Sequence, residues 1–150
     1  MSHIKISTIG FTEKKAENFF SLIQLSKCKE LIDVRLNNVS QLAGFAKKED
    51  LKYFLSEICN VGYRHEPDLA PTKQLLKPYQ QKEITWEKYA DQFMELMAKR
   101  KVEKILTPDM TNNTCLLCSE HLPHQCHRRL IVEYLQSHWP DLKFEVKHLT

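Results

Sequence analysis

Two periodicities alternate along the chain. Ile4, Ile6 and Thr8 to Ile9 repeat every second residue and predict a first strand that ends at Gly10. Ala16, Phe19, Phe20 and Ile23 then fall at helical spacing, with Thr12 placed to cap that helix. Leu31 to Leu36 predicts a second strand, apolar but for Asp33 and Arg35, as suits a sheet covered on both faces. Leu51, Phe54, Leu55 and Ile58 predict a second helix, and Gly62 is expected to end it in the left-handed conformation. A short third strand is read at Tyr63 to Glu66.

Further on, Ala70-Pro71-Thr72 opens a small helix expected to stop near Pro78. Thr85 is read as the cap of a longer helix that carries Trp86, Tyr89, Ala90, Phe93, Met94 and Met97. A polar link from Thr107 to Asn113 leads to the compact fourth strand, Thr114 to Cys118. Cys126 stands at the start of a last helix with Leu130, Ile131, Tyr134 and Leu135 on its buried face, and Phe144, Val146 and His148 alternate as a closing strand. Strands and helices in this order predict one α/β domain over 1–150: a mostly parallel sheet of about four or five strands, flanked by helices in a Rossmann-like three-layer arrangement.

Composition removes whole classes of function. Three glycines in 150 residues leave neither a G-x-G-x-x-G dinucleotide fingerprint nor a G-x-x-x-x-G-K-[ST] phosphate loop to be written. A net charge of +3 with both signs interspersed falls short of the clustered basic footprint of a nucleic-acid-binding domain. No apolar run approaches the length of a membrane span and no secretory h-region follows Met1, so a cytoplasmic protein is expected, with no membrane partner. The odd count of five cysteines argues for thiol chemistry, metal binding or burial in preference to a disulfide framework.

Ligands of open α/β sheets bind beyond the carboxyl ends of the strands. Those ends collect Thr8 and Gly10, then Asp33 and Arg35, then Cys118 and Glu120, and the next loop and helix add His121, His124, Cys126, His127 and Arg128. A cysteine at a helix N-terminus beside arginine is poised to ionise. Cys118, Glu120, Cys126 and His127 are therefore the candidate catalytic residues, and Thr8, Gly10, Asp33, Arg35 and Arg128 the candidate substrate-binding ones. Against this stands the plainer account of His127 as a core residue and of Asp33 and Arg35 as a salt bridge that fixes a loop. A metal, if bound, would take Cys118, Cys126 and His127, although C-x7-C followed at once by histidine is not a regular zinc pattern. A Cys118–Cys126 redox disulfide is a further use of the pair. Cys115 and Cys118 lie three apart in a strand and face opposite ways. Cys28 and Cys59 read as core or boundary residues, and Trp86, Tyr89 and Phe93 as core, not as a platform for bases.

Together, Thr8-Ile9-Gly10, Ile32-Asp33-Val34-Arg35, Leu117-Cys118-Ser119-Glu120 and Cys126-His127-Arg128 resemble the family called domain of unknown function 488. Leu36 to Lys47, Leu69 to Lys73 and Trp86 to Tyr89 look like one bacterial branch of it. The resemblance implies a compact α/β protein with Cys-x-Glu and Cys-His-Arg at its site; it implies no reaction and no cofactor. The expectation is an enzyme whose thiol, imidazole and carboxylate act on a small anionic ligand, a nucleotide or nucleic-acid component among the candidates. The alternatives are a non-catalytic metal- or anion-binding module using the same cluster, and a purely structural network.

Overall fold

A computed structural model describes residues 3–36, 44–118 and 126–150. Five strands form one sheet: β1 (His3–Gly10), β2 (Glu30–Asp33), β3 (Gly62–His65), β4 (Thr114–Cys118) and β5 (Lys143–Leu149). Their order is β3-β2-β4-β1-β5, and every pairing is parallel. Parallel neighbours need crossovers over a sheet face, and the helices supply them. α1 (Ala16–Ser26) and α2 (Lys48–Phe54) pack on one face. α3 (Lys73–Gln80), α4 (Trp86–Arg100), α5 (Val102–Ile105), α6 (Pro108–Thr111) and α7 (His127–His138) contribute to the other. The result is the three-layer α/β fold that the alternating periodicities predict.

Strand alternation distributes the core. Ile4 and Ile6 of β1, Ile32 of β2 and Leu116 of β4 face α4 and α7, whereas Ile9, Leu31, Cys115 and Leu117 face α1 and α2. The expected opposition of Cys115 and Cys118 holds, since Cys118 joins the α4–α7 side. On that side Tyr79, Trp86, Tyr89 and Phe93 form a ladder of rings, with centroids 4.7 Å apart for Tyr79–Tyr89, 5.5 Å for Trp86–Tyr89 and 6.1 Å for Tyr89–Phe93. Its last rung touches the His127 ring at 5.6 Å. These aromatics are core, and they brace the first turn of α7.

Local signals hold at most boundaries and fail where a better residue for the geometry lies nearby. Thr72, Thr85 and Thr107 each accept a backbone N–H from the third residue on and start α3, α4 and α6, the last of these inside the expected polar link. Thr12 is not the cap of α1, which begins only at Ala16 with Lys15 at its N-cap position. β2 stops at Asp33, three residues short of the expected end, where the Asp33 side chain begins to bond its own neighbours. Pro78 does not stop α3; it sits inside the helix, which ends two residues later.

Gly62 does not end the second helix. α2 widens into a π-helical turn, Leu55–Cys59, and Asn60 closes it at φ 55°, a conformation asparagine tolerates better than most side chains. Gly62 has become the first residue of β3, where an added methyl group would find its nearest neighbours at 3.7 Å, ordinary contact. Gly62→Ala should therefore be neutral or stabilise by up to about 1 kcal/mol through the unfolded chain, whereas Asn60→Val, β-branched at positive φ, should cost about 1–2 kcal/mol. Urea unfolding midpoints of the two variants check this contrast, and the reverse order would return the helix stop to Gly62.

Candidate functional site

The carboxyl edge of the sheet is built outward from Asp33, which is fully buried. Its Oδ1 accepts from the Arg35 backbone N–H at 3.1 Å and from Arg35 Nε at 2.8 Å. Its Oδ2 accepts from Arg35 Nη2 at 2.8 Å and from the Tyr63 hydroxyl at 2.6 Å. A carboxylate out of water needs its lone pairs filled, and four donors fill them here. The salt bridge read from sequence is present, although Arg35 lies beyond the strand and not within it. Backbone groups near Asp33 tie down the neighbouring segments: Glu66 N–H donates to the Asp33 carbonyl, and His65 Nε2 donates to the Arg35 carbonyl, both at 3.0 Å.

Arg35 is 2% exposed, and Asp33 occupies its Nε and Nη2. Its Nη1 is buried and has no hydrogen-bond partner among the described residues. The guanidinium carbon lies 5.4 Å from the centre of the Phe11 ring, one residue beyond β1. Because β4 separates β2 from β1, an arginine leaving β2 and reaching Phe11 spans the end of β4. At that end β4 finishes on Cys118, opposite Gly10 in the register.

The structure joins Cys118 and Cys126 as a disulfide, the pairing named above as a further use of these cysteines, with their Cα atoms 7.7 Å apart. Relaxed disulfides hold Cα atoms about 4.4–6.8 Å apart, so these backbones stand wider than an oxidised pair usually does. Cys126 is the N-cap residue of α7, as expected, and its side chain caps no backbone group. Arg128 Nη1 donates to Cys118 Sγ at 3.4 Å, and His127 Nδ1 lies 4.0 Å from Cys126 Sγ. His127 Nε2 donates to the Val34 carbonyl at 2.8 Å, which joins α7 to the end of β2 and leaves Nδ1 as the lone-pair nitrogen facing Cys126 Sγ.

The first turn of α7 holds no acidic residue. Arg128 is wholly buried there, at the end of the helix whose dipole already carries positive partial charge. Its charge is felt widely. Burial first, and the Arg128 guanidinium with it, lowers the ammonium of Lys14 and the imidazole of His148 from their ordinary ranges. Burial likewise pushes His127 down to about 4, with Arg128 lowering it further and the Val34 hydrogen bond and Asp33 acting the other way. His127 is therefore neutral across the physiological range. The remaining thiols are of another kind: burial raises Cys28 and Cys59, and Cys115 well above its ordinary value.

Thr8 is buried, and its Oγ1 lies 2.6 Å from Nδ1 of His148, its register partner on β5. The structure thus brings Thr8, Gly10, Asp33, Arg35, Cys118, Cys126, His127 and Arg128 to one edge, as the strand ends predict. Glu120, His121 and His124 lie outside the described residues. Among the described residues, no group of three or more His, Cys, Asp and Glu side chains is placed to hold a metal ion, the proposed set of Cys118, Cys126 and His127 included. Sequence reasoning missed Tyr63, His65 and His148, each a polar residue near the end of a strand. The strand order alone makes them neighbours of Asp33, Arg35 and Thr8, and no spacing in the chain reveals that order.

Two measurements test this geometry. Tyr63→Phe removes one hydrogen bond to a buried charge and should cost about 1.5–3 kcal/mol, while Asp33→Ala strands the Arg35 guanidinium and should cost about 3–5 kcal/mol, both read by urea unfolding. As pH falls, the unfolded chain takes up the His127 proton near its ordinary 6.5 and the folded protein only near 4, so stability present above pH 6.5 is lost towards pH 4. Between pH 7 and 4.5 the native protein should lose about 2 kcal/mol more than His127→Gln. Equal losses would mean that His127 is not buried neutral.

No curated protein and no solved structure matches the chain. No helix among the described residues is long and apolar enough to cross a membrane. One family model matches residues 15–135, a span that runs from the start of α1 through β2, β4 and most of α7 and so contains Asp33, Arg35, both cysteines, His127 and Arg128. By that match the chain belongs to the family described as domain of unknown function DUF488.

Proposed function

We propose that this protein is a thiol-dependent enzyme acting on an anionic substrate, with Cys118 and Cys126 supplying the reactive sulfur. The observation that carries this reading is the meeting of the two sulfurs at the end of β4 with the Arg128 guanidinium on one of them. In the reduced pair, a cation 3.4 Å from Cys118 Sγ favours the thiolate, the form that reacts. Cys126, at a helix N-terminus with its sulfur on Cys118, is the partner thiol, able to share a proton with the thiolate or to resolve an adduct on it. His127, neutral and fixed through Nε2, orients Cys126 and is a weak base near pH 7. Proton transfer in this reading falls to Glu120.

The substrate's negative charge is argued from two groups. The Nη1 of Arg35, without a partner among the described residues, is a buried donor, and an anion beyond the end of β4 would satisfy it. The positive potential around Arg128 and the start of α7 points the same way. A nucleotide or a nucleic-acid component fits this chemistry and the absence of a glycine phosphate loop, since side-chain guanidinium groups then do the gripping.

A second reading has its own support. Cys118, Cys126 and Arg128 are 1%, 3% and 0% exposed, as expected of a structural network that joins α7 to the sheet. Arg128→Ala destabilises the fold under either reading and cannot separate them. Alkylation can: with reduced protein, the rate of iodoacetamide reaction of Cys118→Ser and Cys126→Ser variants is followed against pH. An enzyme thiol should ionise at least one unit below the ordinary value of about 8.5, and Arg128→Gln should move that midpoint upward. Midpoints at or above the ordinary value would leave only the structural network.

A further inference from the structure

Parallel sheets are ordinarily covered on both faces, and half of one face here is bare. Ile4, Ile6, Phe144 and Val146 of β1 and β5 turn into the α4–α7 core. Their alternates turn the other way, toward the side of α1 and α2, which reach only Ile9 and Leu149 at the carboxyl end of these strands. His3, Lys5, Lys143, Glu145 and Lys147 are consequently exposed and Ser7 partly so, with His3 opposite Lys143, Lys5 opposite Glu145 and Ser7 opposite Lys147. The C-terminal end of α1 stands beside this surface as a wall. A trough of about 320 Å³ results, with Lys5, Ser7, Glu145 and Lys147 on its floor, Leu25 to Cys28 along one side and Asn113 and Thr114 at its end.

The charges on this surface are one-sided. Lys5, Lys27, Lys143 and Lys147 are opposed on the strands by Glu145 alone. A second copy of the chain would set lysine against lysine, which disfavours self-association through this face. We infer that the trough between the C-terminal end of α1 and strand β5 binds the backbone of a single-stranded nucleic acid. Strand geometry spaces the cations regularly: Lys143 and Lys147 project from one face about 13 Å apart, with Lys5 one strand, about 4.8 Å, to the side. A row of cations beside hydroxyl and amide donors suits a repeating phosphodiester, which such groups position without reading sequence. Ser7 and Asn113 are those donors, and Leu25, 74% exposed at the rim, is an apolar surface for a base. The trough's volume is at the lower end of the range for small-ligand pockets and admits one strand in preference to a duplex.

This surface faces away from α7 and does not depend on the thiols, so the two proposals stand or fall separately. The probe is a fluorescein-labelled oligo(dT) strand of about 12 nucleotides, followed by anisotropy from about 50 to about 200 mM salt. Binding should weaken steeply with salt. Lys5→Ala with Lys147→Ala should weaken it at least about 10-fold and reduce the log–log salt slope by about 1.4, two phosphate contacts at about 0.7 each. Glu145→Gln should tighten it, and Cys118→Ser with Cys126→Ser should not change it. Lys88→Ala with Lys99→Ala, on exposed positions of α4 across the sheet, removes the same net charge and is the control. Absence of binding at the lowest salt, equal loss in the α4 control, or equally tight binding of a poly-glutamate peptide would each overturn the proposal. All substituted lysines are exposed, so a matching thermal unfolding curve separates lost binding from lost fold.

Discussion

The buried carboxylate of Asp33 is the point on which the carboxyl edge of the sheet depends. Removing a charge from water costs several kcal/mol, and geometry must return that cost through direct partners. Both oxygens are used twice, by three groups of Arg35 and by Tyr63. The strand ends with this arrangement: the Val34 N–H makes the last bond to β4, 3.0 Å from the Leu117 carbonyl, and Arg35 leaves the ladder. The carbonyls of Val34 and Arg35 are thereby free to receive His127 and His65. A single acidic residue in an apolar run thus sets where β2 ends, how β3 is held and where the first turn of α7 docks.

The second constraint is the accumulation of positive charge. Two guanidinium groups lie buried at this edge, one neutralised by Asp33 and one resting on a sulfur. Arginine at the N-terminal turn of a helix works against the helix dipole, and a protein selected only for stability would place an acidic residue there. The groups nearby are affected in the same direction: burial first, and Arg128 after it, drives Lys14, His127 and His148 toward their neutral forms. A site of this kind repels cations and lowers the energy of anions, whether the anion is a thiolate of the protein or a charge on a ligand. Both halves of the proposed function follow from that one imbalance.

Much of the fold was legible because its signals are local. The five strands and the long helices follow from periods of two and 3.6, and the threonine caps at Thr72 and Thr85 from side-chain chemistry within three residues. What could not be read was decided at longer range or by competition between neighbours. The helix after Lys48 ends at Asn60 and not at Gly62, because an intervening π-helical turn shifts the stop by two residues. The candidate site was legible as a set of strand ends, and eight of its nine residues lie together at the edge; Glu120, the ninth, lies outside the described residues. The pairing of Thr8 with His148 was not legible, since β5 joins β1 only through the order of the whole sheet.

The same sheet order explains why the two ends of this molecule differ. β4 is inserted between β2 and β1, so its carboxyl end is flanked by loops from both, and buried polar groups converge there. β5 is added outside β1, where α1 and α2 reach only Leu149, and among the described residues no helix covers its other outward side chains. A strand in that position can stay soluble only by carrying charge on its open face, and lysine is the residue that best blunts an exposed strand. Lysine at Lys143 and Lys147 therefore has a structural reason before any ligand is considered. That reason explains charge but not its balance: β5 alternates Lys143, Glu145 and Lys147, and with Lys5 opposite Glu145 the face carries three lysines to one acid. The excess of lysine over that requirement, next to a walled trough, is the part that solubility leaves unexplained and that an anionic strand accounts for.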